Sequence, residues 1–274
     1  MDHKPDTSKL QRCNSPSVRH AITISRNMSG TPAWLWLMKR HRGGIAVLLA
    51  GTLTTLGLIG APAAHAAVGL YPGMPITNRD ISSACSLGFL ATNSAGKNLA
   101  ITAGHCSTAL DQVFVSQNGT KIGSVVARRD DDGDASFGYT MLWLYDSTYT
   151  QDAYFAAWRN PSVGTTVRKY GMRTDATDGK ITAVYYKYDD ERPNTSSIYS
   201  NVDVFGGDSG APWYTFNDSG KPVLVGIHVG HTSRQEGTYL LKRAYAFPAD
   251  SLTRHIRAYA GTWGAGFTVS GPPR

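Results

Sequence analysis

The chain has 274 residues, with 27 Lys and Arg against 20 Asp and Glu and a formal net charge of +7. The excess is local: residues 1–66 hold 8 of the basic and 2 of the acidic residues, so from Ala67 onward 19 basic residues face 18 acidic ones. A remainder this close to neutral takes away the electrostatic case for a nucleic-acid binder. Its length of about 208 residues suffices for one large or two small cores.

Residues 1–66 read as an N-terminal extension and secretory signal peptide. Lys39, Arg40 and Arg42 precede an uncharged apolar run from Ile45 to Ala61, and Ala64-His65-Ala66 has the small-x-small form of a cleavage site. An uncleaved anchor is the alternative, though a run containing Gly51, Gly57 and Gly60 is marginal for crossing about 30 Å of hydrocarbon. Upstream of Met38 the chain is polar and aperiodic, and a leader starting at Met38 would be complete in itself. With Cys13 in the leader, Cys85 and Cys106 remain as an even pair, suited to a disulfide in an oxidising compartment. Closing about 20 residues, such a bridge would contribute about 3 kcal/mol on a chain-entropy estimate. Two buried free thiols are the alternative. Two cysteines without a paired spacing make no recognisable metal site.

Downstream, short β-branched and aromatic segments recur between Gly, Asn, Asp and Pro turns. They are Leu99–Thr102, Gln112–Ser116, Lys121–Ala127, Tyr139–Leu144, Thr165–Tyr170, Lys180–Tyr186, Pro222–Val229 and Thr238–Ala246. Their spacing predicts an all-β sandwich or barrel. A single segment reads clearly as helix: after Pro248, Leu252, Ile256 and Tyr259 recur at helical spacing, with Arg254, His255 and Arg257 between them and Gly261 as a stop. The charge run from Arg128 to Asp132 reads as a solvated loop.

Two motifs carry chemistry. Thr102-Ala103-Gly104-His105-Cys106 offers an imidazole, and Phe205-Gly206-Gly207-Asp208-Ser209-Gly210-Ala211-Pro212 offers a hydroxyl among glycines. A serine hydroxyl needs an adjacent base, and imidazole can take its proton and return it. Glycines at 206, 207 and 210 allow a tight turn that aims amide N–H groups at a developing oxyanion. By itself Gly-Asp-Ser-Gly also fits an ordinary surface turn.

Together the motifs resemble those of the chymotrypsin-like serine proteases, in particular the short secreted actinobacterial type, over roughly residues 71–259. The resemblance implies an all-β fold of two six-stranded antiparallel barrels with a C-terminal helix, divided near Asn160-Pro161 into residues 67–160 and 161–274. It implies His105 as general base and Ser209 as nucleophile, in the family's chain order His, Asp, Ser. Among Asp130, Asp131, Asp132 and Asp134, the expected acid is Asp134, because Ala135-Ser136-Phe137 and a strand follow it as in the family. Asp132 comes second, and a purely solvated acidic loop is the remaining reading. The amides of Gly207 and Ser209 are the expected oxyanion donors, and a Cys85–Cys106 disulfide belongs to the same pattern.

In the family the aspartate before the serine is buried in an ion pair. No Ile-Val-Gly-Gly sequence supplies an N-terminal partner for Asp208; short bacterial members use an internal cation, and by that resemblance Lys169, near the matching place in Val167-Arg168-Lys169-Tyr170-Gly171, is the expected one, with Arg168 and Arg173 as competitors. Phe205 stands where many relatives have a cysteine, so a disulfide bracing the specificity pocket is missing. Asp203, six residues before Ser209, stands where trypsin-like members place the aspartate that binds a substrate Arg or Lys, and by that resemblance suggests a basic preference, whereas Gly226-Ile227-His228-Val229-Gly230 is similar to the glutamyl endopeptidases and suggests an acidic one. Each also has a plain reading, a turn aspartate and a core histidine. Val229, Gly230 and His231 are the expected edge that pairs with extended substrate backbone.

The expectation is a secreted, monomeric serine endopeptidase acting on polypeptides through an acyl-enzyme, with no cofactor, no metal and no lasting membrane insertion. A catalytically silent protease-like binding or adhesion protein is the rival, and a cell-envelope location is the alternative to free secretion.

Overall fold

The computed structural model describes residues 67–131, 137–150, 155–186, 196–236 and 239–270. The leader expected at 1–66 and the aspartates at 132 and 134 lie outside them. The first strands are β1 (Val68–Leu70), β2 (Pro75–Asn78), β3 (Ser83–Ser86), β4 (Phe89–Thr92), β5 (Asn98–Thr102), β6 (Val113–Ser116), β7 (Lys121–Arg129), β8 (Tyr139–Leu144) and β9 (Thr148–Thr150). Then come β10 (Ala157–Trp158), β11 (Thr166–Gly171), β12 (Asp175–Tyr185), β13 (Ser197–Ser200), β14 (Pro212–Phe216), β15 (Pro222–Glu236) and β16 (Tyr239–Pro248). Helices α1 (Ala249–Tyr259) and α2 (Gly261–Gly264) precede β17 (Thr268–Val269).

All eight segments chosen by sequence pattern are strands. The strands that pattern missed are short or built from small residues, such as Ser83-Ala84-Cys85-Ser86, and only their hydrogen-bonded partners define them. β15 also runs past Val229 through a polar stretch to Glu236, because β16 pairs with it along that length.

The first sheet has the order β17-β4-β5-β8-β7-β6-β2-β3. Its ladder ends on β3 at one side and reaches β4 at the other, and these are two halves of one bent segment, 83–92. That segment closes a barrel of six strands: β2, β3 with β4, β5, β6, β7 and β8. The second sheet closes directly, since β15 pairs with both β14 and β16 in the ring β14-β11-β12-β13-β16-β15. Pairing within both rings is antiparallel.

Each barrel has its own interior. Ile76, Leu87, Phe114, Ile122, Val125 and Leu142 fill the first; Val167, Ile181, Ile198, Trp213 and Val225 fill the second. A third cluster joins Phe89, Leu99, Ile101 and Phe137 to Leu224, Ile227, Phe247, Leu252 and Ile256. It draws on strands of both rings and on α1, so the barrels share an apolar interface, whose burial is the main force holding them together.

Helix α1 seats on this interface with a stripe of Leu252, His255 and Ile256, all fully buried. The apolar stripe thus differs from the sequence expectation: Tyr259 is 51% exposed and His255 takes the inner place, at i+3 from Leu252. Pro248 at the N-cap has no side chain able to cap. Asn160 does so from a distance, its Oδ1 accepting from the N–H groups of Asp250 (3.1 Å) and Ser251 (3.3 Å).

His255 lies among the rings of Phe137 (5.4 Å), Tyr139 (6.1 Å) and Tyr259 (4.7 Å), and neither ring nitrogen has a partner among the described residues. Burial, with a smaller contribution from the Arg129 charge, pushes its pKa down to about 4 from 6.5. The folded protein therefore resists a proton that the unfolded chain accepts below pH 6.5. Stability is full above that pH and falls as pH drops from 6.5 toward 4, by about 3 kcal/mol at most from this group. Urea unfolding at pH 7 and pH 4.5 should show this loss, and His255→Phe should reduce it. An equal loss in both proteins would show that His255 is not its source.

Candidate active site

His105 sits in a single 3-10 turn, Gly104–Cys106, at the end of β5. Cys106 is joined to Cys85 of β3 by a disulfide, with Cα atoms 6.3 Å apart. The exit from the turn is held by Ser107, whose Oγ shares a hydrogen bond with Thr140 Oγ1 (2.6 Å) and whose carbonyl accepts from Arg128 Nη2 (2.8 Å). With its backbone pinned at both ends, the imidazole projects into the open, its side chain 42% exposed.

Ser209 reaches it from the second barrel: His105 Nε2 lies 2.7 Å from Ser209 Oγ. On the opposite side of the ring, Nδ1 lies 2.6 Å from Asp131 Oδ2, a carboxylate whose side chain is 6% exposed. An N–H at Nδ1 donating to Asp131 leaves Nε2 as the acceptor for the serine proton.

The sequence pattern favoured Asp134 as the acid, and the carboxylate found beside Nδ1 is that of Asp131. Asp134, like Asp132, lies outside the described residues, and Asp131 holds the place behind the ring. The reason is steric as well as electrostatic. The Asp131 backbone packs against Gly138, just before β8, and a Cβ on Gly138 would collide with it. Nothing in the pattern around the four aspartates signals that contact. Asp130 turns outward and pairs with Arg128.

The turn from Phe205 to Asp208 closes with the Asp208 N–H donating to the Phe205 carbonyl (3.0 Å). Gly207 occupies its third position at φ +105°, a conformation that needs glycine, as in type II turns. Gly206 has no such need, since its φ is ordinary and a Cβ there would meet open space. Among the described residues nothing accepts from the N–H of Gly207 or of Ser209.

Asp208 is fully buried, and the expected cation partner is the one found: Lys169 of β11, also fully buried, lies 3.1 Å from Oδ2. Arg168 pairs instead with the exposed Asp178. Arg173 contributes only its backbone N–H to Asp208 (2.9 Å), beside Thr174 Oγ1 (2.7 Å) and the Phe205 N–H (3.0 Å). Burial raises the Asp208 pKa, but these hydrogen bonds and the Lys169 charge outweigh it, holding the carboxyl below its ordinary value.

The residues expected to bind substrate separate into two groups. Beyond His228, whose carbonyl accepts from Gly210 N–H (2.7 Å), β15 pairs only with β16 among the described residues, so Val229, Gly230 and His231 present an open edge. His228 itself is 3% exposed and stacked on Trp213 at 6.0 Å. Burial, followed by the Lys169 charge, pushes its pKa down to about 3, so it is neutral and its Nδ1 has no partner among the described residues. Asp203 is exposed, with its carbonyl tied to Thr177 Oγ1 (3.1 Å).

No protein-family model matches the sequence. Over 137 residues it is 30% identical to Serine protease 2 of Streptomyces fradiae, a match spanning 46% of this chain and 77% of that protein. The fold is similar to that of Nocardiopsis protease (17% identity, TM-score 0.53), over 74% of this chain and 99% of that one. Thermobifida fusca protease A is comparable (16% identity, TM-score 0.54), over 74% and 100%. So is a glutamic-acid-specific serine protease described as using a histidine triad in substrate binding (24% identity, TM-score 0.52), over 73% and 100%. These structures share two barrels with this chain, and the Streptomyces relative shares its sequence over most of its own length: the chain belongs to the chymotrypsin-like serine proteases of the actinobacterial type.

Proposed function

We propose that the protein is an exported serine endopeptidase that cleaves polypeptides through an acyl-enzyme. The observation that carries this reading is the continuous chain Asp131, His105, Ser209, with contacts of 2.6 and 2.7 Å. Ser209 Oγ attacks the peptide carbonyl as Nε2 of His105 takes its proton, and the imidazolium then gives that proton to the leaving amine. Asp131 fixes the tautomer and stabilises the imidazolium. The N–H groups of Gly207 and Ser209 receive the oxyanion, and water repeats the sequence to release the acyl group.

Substrate backbone pairs with the open edge at 229–231, which makes recognition of the main chain independent of side-chain preference. For the side chain at the cleaved bond, Asp203 supports a basic residue because its charge is exposed. The context around His228 supports an acidic one, although a neutral, enclosed imidazole can offer only an N–H and no charge. A mixed peptide library separates these, and a profile dominated by Leu or Phe would remove both. Export is supported by the disulfide at Cys85 and Cys106 and by the leader composition at residues 1–66.

Ser209→Ala should lower kcat by about 10⁶-fold with the unfolding temperature unchanged. Labelling of Ser209 by a fluorophosphonate should fail in the same variant; a wild-type protein that takes up no label would favour the silent binding protein. The acid is tested by a pair. Asp131→Asn should cost about 10⁴-fold in kcat, as expected for a wrong imidazole tautomer, while Asp134→Asn keeps most activity. The reverse result would return the role to Asp134.

A further inference from the structure

Ser86 ends β3, next to Cys85, and is fully buried. All of its polar groups are engaged, and three of their four hydrogen bonds go to the two motifs. Its N–H donates to the carbonyl of Ser209 (2.8 Å), and its carbonyl accepts from Thr102 Oγ1 (2.8 Å), the side chain that opens the histidine motif. Its Oγ donates to the carbonyl of Gly207 (3.0 Å) and accepts from the N–H of Met172 (3.0 Å). One first-barrel residue thus holds the nucleophile, the glycine of the oxyanion turn and the loop after β11.

We propose that Ser86 is a positioning residue for the oxyanion site, a role that rests on the reading of Ser209 as nucleophile. Glycine at 207 lets the turn form, but it also leaves that residue without a side chain by which the protein could hold it. Its carbonyl is the available handle. The peptide plane between Gly207 and Asp208 is fixed from both ends, the carbonyl by Ser86 Oγ and the N–H by the Phe205 carbonyl (3.0 Å). Fixing that plane fixes the Gly207 Cα from which the oxyanion-binding N–H departs. The hydroxyl is specifically required, because it must donate to one barrel segment and accept from another. An alanine would fill nearly the same volume and do neither.

The effect belongs to the transition state. Gly207 and Ser209 N–H groups interact most strongly with the negative oxygen that forms during attack, so a misplaced Gly207 lowers kcat and leaves ground-state binding at the edge strand alone.

The test compares wild type, Ser86→Ala and Ser86→Thr, with rates expressed per folded molecule. Ser86→Ala keeps the backbone bond to Ser209 and removes only the hydroxyl. It should lower kcat by about tenfold with KM within about twofold, and weaken by a similar factor the inhibition by a peptidyl trifluoromethyl ketone, whose adduct carries an anionic oxygen. Binding of the cleaved product peptide should be unchanged. Ser86→Thr, which retains Oγ, should recover most of the loss. A Ser86→Ala variant with wild-type kcat and ketone affinity overturns the role, as does a loss of rate that only follows a loss of folded protein. A wild-type protein that cleaves no peptide and takes up no fluorophosphonate overturns instead the reading of Ser209 beneath it.

Discussion

A carboxylate with no access to water sits directly behind the proposed nucleophile, and the geometry of the site follows from how it is satisfied. Asp208 receives Lys169 Nζ, Thr174 Oγ1 and the backbone N–H groups of Arg173 and Phe205. The donors come from three points of the surrounding chain, so the carboxylate draws together β11, the loop after it and the turn that carries Gly207. An uncompensated charge here would cost about 3–5 kcal/mol, which makes any rearrangement of the turn that breaks the set expensive. Because the cation comes from within the second barrel, the turn needs no new chain terminus to be held.

The remaining components come from the first barrel, and here close backbone approach matters. A Cβ on Gly210, which follows Ser209 at φ +86°, would strike Thr102 Oγ1 and the Ser86 carbonyl. The motifs of the two barrels are in van der Waals contact at that point. The disulfide ties the strand carrying Ser86 to the turn carrying His105, so hydroxyl, imidazole and oxyanion turn are referred to a common anchor. The apolar interface of Phe89, Ile101, Ile227, Phe247 and Leu252 supplies the attraction that keeps this polar junction closed.

Much of this was legible in the chain. The alternating segments marked eight strands, the cysteine count marked the bridge, and the two motifs marked His105, Ser209 and Gly207. Likeness to short bacterial members, which use an internal cation, marked Lys169 as the partner of Asp208, which is where the ion pair lies. Local pattern succeeded at these positions because the chemistry requires particular residue types in sequence-adjacent places: a glycine at positive φ, an aspartate before the serine, a cysteine after the histidine.

It failed where identity depends on what folds against a residue. Four aspartates within five positions are chemically equivalent, and Asp131 reaches Nδ1 only through a neighbour, Gly138, that lacks a side chain. His255 looks polar on a helix, yet it is enclosed by rings from β8 and the segment before it. Ser86 belongs to no motif. The sequence by itself determined the candidate reacting groups and the all-β class, because reactivity and strand periodicity are properties of residues and their immediate neighbours. Which carboxylate faces the ring, and which hydroxyl bonds the Gly207 carbonyl, was decided by tertiary structure alone, since both depend on contacts between segments far apart in the chain.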